Sequence, residues 1–304
     1  DVIRYHEFSS TSRGNVFRRA PGVEWGSPPP PFKHYAGLGT IPLTRGAAGG
    51  AALGEALRAP EQAAGRLSLD RLGGLLFLSA GITLHRGGNA LRAAPSSGAL
   101  FPSERYVVAR DVDGLPAGLY HYDPENHRLD ALGPVPPSFG AQSAGGADAV
   151  LVLSAVFRRT GYKYHNRAYR YAAADAGHLL ENARLAAHRA GMHASLLPAF
   201  DDEAAARALG IDGVEEGVLA MMSLSRAMQQ APAPFAAMAP VAPAPATPLG
   251  VTGIIQRATS LRARRMPSAS SSATHGPGAL MPIAVPPTSR TARSCASRRK
   301  RRLK

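Results

Sequence analysis

Apolar residues recur along this chain with two distinct periods. Leu69, Leu72, Leu75, Leu76 and Leu78 keep the spacing of one helix face, with Ser68 placed as N-cap and Gly81 as terminator. Further on, Glu104 to Arg110 reads as a strand centred on Tyr106, Val107 and Val108; Asp113-Gly114 forms a hairpin-type turn and Gly118 to Tyr122 the returning strand. Asp148 to Phe157 is almost continuously apolar, as expected of a buried central strand. Tyr169 to Ala190 carries the longest helical pattern, and Gly191 stops it. Ala194 to Leu197 is a short strand, Asp201 to Leu209 a short helix opened by an Asp cap, and Val218 to Leu224 a closing strand. Helices and strands interleaved with a hairpin predict one α+β domain over residues 65–225.

Both flanks lack this regularity. Residues 1–64 read as an N-terminal arm and linker: Pro28 to Pro31 is an extended polyproline stretch among Trp25, Phe32 and Tyr35, and Gly46 to Gly54 is rich in small residues. Aromatics around prolines suit an arm laid on a folded surface, or else peptide docking. Residues 226–304 hold 11 prolines with Ala/Pro, Ser and Arg tracts, too few large apolar groups to offset chain entropy; disorder is expected there, with a helical turn or two at Ile254 to Arg265.

Charge sharpens this division. The 304 residues carry 35 Lys and Arg against 21 Asp and Glu, a net +14 that first suggests nucleic acid or an acidic membrane surface. Residues 1–225 hold 22 basic and 21 acidic groups, whereas the last 79 hold 13 basic groups and no acid. The basic signal therefore belongs to the tail, read as a solvated appendage; a nucleic-acid contact and a read-through or frameshifted extension are the alternatives. No run of about 18 apolar residues exists to cross a membrane. The start has neither an apolar signal region nor a Met, so a processed or trimmed soluble chain is expected. The single cysteine, Cys295, provides no intrachain disulfide and no Cys-rich metal site, and a cytoplasmic location is expected.

Three clusters carry candidate chemistry. Pro95-Ser96-Ser97-Gly98-Ala99-Leu100 is a loop of small and hydroxyl residues; it serves either as a tight turn or as a place where backbone N–H groups approach a flat or anionic ligand. Arg158 to Arg167 follows the buried strand and masses cations with Tyr162, Lys163, Tyr164 and His165: a solvated basic loop, or a loop whose Lys163-Tyr164 pair transfers protons, an ammonium beside a phenol favouring the phenolate. Asp175, His178 and Asn182 share one face of the long helix, as a hydrogen-bonded surface or a polar ligand contact. There is no Walker motif, zinc-protease helix or Gly-x-Ser-x-Gly elbow.

In this order the clusters resemble the nitroreductase-like flavoproteins, and specifically the SagB-type dehydrogenases that oxidise azoline rings in peptides. The resemblance rests on Arg92 to Glu104 with Tyr106-Val107-Val108, Gly114 to Tyr122, Lys163-Tyr164, Ala168 to Tyr171, Asp175 to His178, Asn182 and Ala190-Gly191-Met192, with Tyr5-His6-Glu7, Trp25 and Pro31-Phe32-Lys33 in the arm. It covers roughly residues 5–224 and excludes the tail. It implies a nitroreductase-like α+β fold, with a central mixed sheet flanked by helices and an FMN site completed at a homodimer interface. Pro95, Ser96, Ser97 and Gly98 would lie along the flavin ring, Asn182, Gly191 and Met192 would complete the pocket, and Lys163 and Tyr164 would remove the azoline proton as hydride leaves. Where relatives grip the FMN phosphate with an Arg-Arg-Ser segment this chain has Thr44-Arg45-Gly46, which leaves Arg92 and Arg226 as substitutes. A peptide substrate and a cyclodehydratase partner follow from the same resemblance. The alternatives are a nitro or quinone reductase on the same fold, and a truncated, flavin-poor homologue that binds through its basic tail.

Overall fold

The structure, a computed structural model, describes residues 2–226 apart from 11, 13, 15–22, 24–27, 47–51, 59, 61–64, 140–145 and 198. Trp25, the Ile254 to Arg265 segment and the whole tail after Arg226 lie outside the described residues. The helices are α1 (Val2–Ser9), α2 (Leu53–Ala56), α3 (Leu69–Ala80), α4 (Phe157–Tyr164), α5 (Ala168–Arg189) and α6 (Asp202–Ala208). The strands are β1 (Thr40–Pro42), β2 (Ile82–Arg86), β3 (Asn89–Arg92), β4 (Ser103–Ala109), β5 (Gly118–Asp123), β6 (Arg128–Gly133), β7 (Ala149–Val156), β8 (His193–Leu196) and β9 (Glu216–Ser225).

Seven strands form one sheet in the order β1-β6-β5-β4-β7-β9-β8, and β2 with β3 forms a separate hairpin. Every described pairing in the large sheet is antiparallel, which corrects the expectation of a mixed sheet. Strands β4, β5 and β6 follow one another through short connections, which dictate opposite directions. The unbroken apolar run of β7 reflects cover on both faces, whatever its neighbours' direction. Val107, Ala149 and Leu151 face a core formed with Leu72, Leu75 and Leu76 of α3 and Ala183, Ala186 and Ala187 of α5. Their alternates Tyr106, Val108, Val150 and Val152 face a second core with Phe139 and with Ala205 of α6.

The helix boundaries follow their caps. Ser68 Oγ accepts the Arg71 N–H at 3.3 Å, Asp201 Oδ1 accepts the Ala204 N–H at 2.9 Å, and the Gly81 N–H closes α3 on the Phe77 carbonyl at 2.7 Å. Within α3, Gly73 and Gly74 let the Leu43 to Gly46 segment lie directly on the helix, since a Cβ at Gly73 would stand 2.5 Å from the Thr44 carbonyl oxygen. The hairpin β2–β3 turns at Gly87-Gly88, both with positive φ (56° and 78°). Strand β2 is mostly exposed.

Residues 158–167, read from the sequence as a loop, are instead α4 followed by a tight turn at His165–Arg167. Arg159 and Thr160 point into the protein beside Phe157, so the buried face of α4 is largely polar and leaves no apolar stripe. The chain bends at His165, whose φ of 46° is left-handed, and continues as α5. The described part of the N-terminal segment packs on this region. Tyr5 Oη donates to the Asn166 carbonyl at 2.9 Å, and Lys33 Nζ reaches Glu216 at 2.6 Å and the Tyr106 hydroxyl at 2.8 Å.

Candidate active site

The Ser96–Gly98 loop joins β3 to β4 and is anchored by one carboxylate from mid-α5. Asp175 accepts the Ser96 hydroxyl at 2.6 Å, the Ser97 hydroxyl at 3.0 Å and the Ser97 N–H at 3.0 and 3.1 Å. The Phe101 N–H returns to Ser96 Oγ at 2.8 Å. Both hydroxyls and the Ser97 N–H are thus taken up by Asp175. What the loop presents outward is Gly98, exposed and left-handed at φ 66°.

Gly98 faces the end of α4. A Cβ placed on it would lie 2.8 Å from the Tyr164 hydroxyl and 3.1 Å from Lys163 Nζ. The loop and the Lys163-Tyr164 pair, 65 or more residues apart in sequence, therefore meet, and the missing side chain at 98 is what lets the two polar atoms come this close to the loop. Lys163 Nζ stands 5.4 Å from the Tyr164 ring centre, and Tyr164 packs on Tyr171 at 4.6 Å between ring centres.

Behind the loop lies a cavity of about 20 Å³, lined by Arg92, Pro95, Ser96, Ser103, Arg105 and Asp175 among others. The Arg92 guanidinium is sandwiched between Phe32 and Phe101 at 5.3 and 5.0 Å and donates to the Pro31 carbonyl at 3.1 Å. Burial, aided by the neighbouring Arg105 charge, brings its pKa down to about 9. Arg92 thus commits one donor to the arm and stands with its guanidinium between two aromatic rings.

Beside the cavity, Arg159 of α4 holds three segments together. It donates to the Pro30 carbonyl at 2.9 Å and the Phe101 carbonyl at 3.3 Å, and pairs with Glu104. Glu104 also meets His121 at 2.9 Å. Burial alone would raise the Glu104 pKa, but the His121 hydrogen bond and the Arg159 and Arg105 charges outweigh it and hold the carboxyl well below the usual carboxylate range. Arg159 and Glu104 were not singled out from the sequence, whereas Asp175 was, as part of a helix face read either as a hydrogen-bonded surface or as a polar ligand contact.

The remaining proposed residues are not brought to this place within one chain. Asn182 is half-buried, about 10 Å further along α5 from Asp175, and Gly191-Met192 lie about 24 Å along, with Met192 fully buried in the core beneath α3. Arg226 sits at the opposite end of the sheet, about 20 Å from the loop by the length of β4, paired with Asp111 at 2.8 Å and Asp148 at 3.0 Å. Nor do Asp175, His178 and Asn182 act as one surface: Asp175 points inward and His178 is exposed. In the Thr44-Arg45-Gly46 segment, Thr44 bonds Asp70 and the Arg45 guanidinium lies 4.7 Å from the centre of the Phe77 ring. Among the described residues no cluster of metal-ligating side chains occurs, and no helix is long and apolar enough to cross a membrane.

An antiparallel sheet covered by helices, with a small-residue loop meeting a Lys-Tyr pair, defines the protein as α+β. The sequence profile of the nitroreductase family matches residues 77–225. A protein of Methanocaldococcus jannaschii assigned as a nitroreductase is 33% identical over 145 residues, which are 45% of this chain and 71% of that protein. The trifolitoxin-processing protein TfxB of Rhizobium leguminosarum is 35% identical over 145 residues, 41% of this chain and 38% of its own length. The crystal structure of an Anabaena variabilis protein assigned as a nitroreductase superposes with a TM-score of 0.59 at 30% identity, covering 74% of this chain and 46% of the other. The chain belongs to the nitroreductase family, whose members are generally flavin oxidoreductases. It spans well under half of TfxB.

Proposed function

We propose that the protein is an FMN-dependent oxidoreductase of the SagB type that oxidises azoline rings in a peptide to azoles. The observation that carries this is the meeting of the Ser96–Gly98 loop with the Lys163-Tyr164 pair, whose Nζ and hydroxyl approach Gly98 as closely as only a residue without a side chain allows. The loop and the pair together border the place proposed for the flavin ring. Bound there, FMN supplies the acceptor for the hydride, with dioxygen as terminal oxidant. Lys163 and Tyr164 supply the other half of the dehydrogenation. The azoline carbon loses a proton to this pair as its neighbour loses hydride, so the ring gives up two hydrogens and gains a double bond. Asp175 holds the loop and Arg159 the start of β4, and together they fix the distance between loop and pair.

The similarity to a toxin-processing protein supports a peptide substrate. The separation of Arg226, Asn182, Gly191 and Met192 from the loop is the reason the proposal includes a homodimer, in which the second subunit brings such groups to a flavin shared between chains. A cyclodehydratase that prepares the azoline is the partner this reaction requires. The 33% identity to a protein assigned as a nitroreductase favours a second reading, reduction of nitro compounds or quinones at the same flavin.

One experiment separates the readings. Lys163→Ala and Tyr164→Phe are loaded with FMN and given a thiazoline-containing peptide, and separately a quinone with a nicotinamide donor. Both variants should retain flavin and quinone reduction while peptide oxidation falls by about 10²-fold or more, the usual worth of a positioned base. Unchanged peptide oxidation in either variant removes that residue from the chemistry. A wild-type protein that takes up no FMN refutes the enzyme reading altogether.

A further inference from the structure

The cavity behind the Ser96–Gly98 loop holds buried donors without partners. Arg105 is completely buried and Arg92 nearly so, and neither pairs with a carboxylate among the described residues. Arg105 donates from Nη1 to the Ser103 carbonyl at 2.7 Å, and Arg92 donates from Nη2 to that of Pro31. Arg92 Nε, Arg105 Nε and Nη2 and the Ser103 hydroxyl are buried without any hydrogen-bond partner, and the three residues that own them all line the same cavity. The nearby acids are committed elsewhere. Glu104 is held by Arg159 and His121, and Asp175, which also lines the cavity, accepts from Ser96 and Ser97. Arg92 and Arg105 both bring a guanidinium to the cavity wall, where Asp175 is the one lining carboxylate, and the Glu104 charge acts on both. Several unsatisfied donors in one buried space are costly unless something occupies it.

We propose that this cavity is a binding site for a small monovalent anion of halide size, held by Arg92, Arg105 and Ser103. The cavity, about 20 Å³, has room for one small ion. An anion there takes the spare N–H and O–H donors together. The fall in the Arg92 pKa, driven by burial and by the Arg105 charge, agrees with a site short of negative charge.

The test uses the full chain. Crystals grown with sodium bromide in place of chloride are measured at the bromine absorption edge, and thermal unfolding is followed at constant ionic strength while chloride replaces gluconate. The expected results are an anomalous peak bounded by Arg92, Arg105 and Ser103, and an unfolding temperature that rises about 4 °C for each tenfold increase in chloride beyond half-saturation. Ser103→Ala removes one donor while keeping the fold, and should shift half-saturation to higher chloride. A cavity that holds water or a flavin phosphate oxygen with no anomalous peak overturns the proposal, as does an unfolding temperature indifferent to the halide.

Discussion

Replacing Asp175 with Ala should release the Ser96–Gly98 loop while leaving the sheet intact. In the wild type this one carboxylate accepts two hydroxyls and a backbone N–H at 2.6–3.1 Å, and it is 6% exposed. Hydrogen bonds to a charged group contribute about 1.5–3 kcal/mol each. The two serine hydroxyls can rotate toward other acceptors or water, so the full sum is not lost; the Ser97 N–H has no such freedom. A net loss of about 3 kcal/mol follows, which for a folded region of this size lowers the unfolding temperature by about 6–12 °C. Native-state hydrogen exchange gives the sharper readout, because the loss is local. The Ser97 amide should exchange on the order of a hundredfold faster in the variant, while amides of β4 and β7 exchange at rates set by global stability. FMN retention should fall with it. If the variant unfolds within about 0.5 kcal/mol of wild type and the Ser97 amide stays protected, the loop is held by something other than Asp175.

Three further perturbations probe other parts of the structure. Gly98→Ala places a Cβ 2.8 Å from the Tyr164 hydroxyl at a left-handed φ, so flavin retention and peptide turnover should drop well beyond the roughly 1–2 kcal/mol of backbone strain, as read by cofactor titration beside urea unfolding. Gly73→Ala gains about 1 kcal/mol of helix propensity yet forces a Cβ to 2.5 Å from the Thr44 carbonyl; denaturant unfolding should show a net loss of about 1–2 kcal/mol, and a gain would show that the Leu43 to Gly46 segment is not fixed on α3. The folded-state pKa of Glu104 lies below its unfolded value, so its contribution is present above about pH 4.3 and is lost as pH falls toward the folded value. Glu104→Gln should therefore be less stable than wild type at neutral pH, the gap narrowing below about pH 4, and parallel stability-versus-pH curves would contradict this.

Much of the framework is legible in the pattern of side chains. The helices at 69–80 and 168–189, the hairpin of β4 and β5 and the buried strand β7 announce themselves through periodicity, a Ser or Asp cap and a terminal glycine, all local properties. The hairpin β2–β3 escaped because its strands are short and β2 is mostly exposed. Helix α4 escaped because its inward residues, Arg159 and Thr160, are polar, and Arg159 bonds to distant segments. The direction of strand pairing was equally hidden, since a strand covered on both faces has the same composition whichever way its neighbours run.

The sequence alone determined which segments could fold, where the charge lay, and that Ser96-Ser97-Gly98 and Lys163-Tyr164 were the residues to watch; these follow from spacing and composition along the chain. Only the tertiary structure decided that they meet across Gly98, that Asp175 takes the serine hydroxyls, and that Arg226 lies at the far end of the sheet. Those facts depend on where α5 and α4 settle against the sheet. That placement is set by packing the two cores and by pairing buried charges over separations of tens of residues, and no local pattern encodes it.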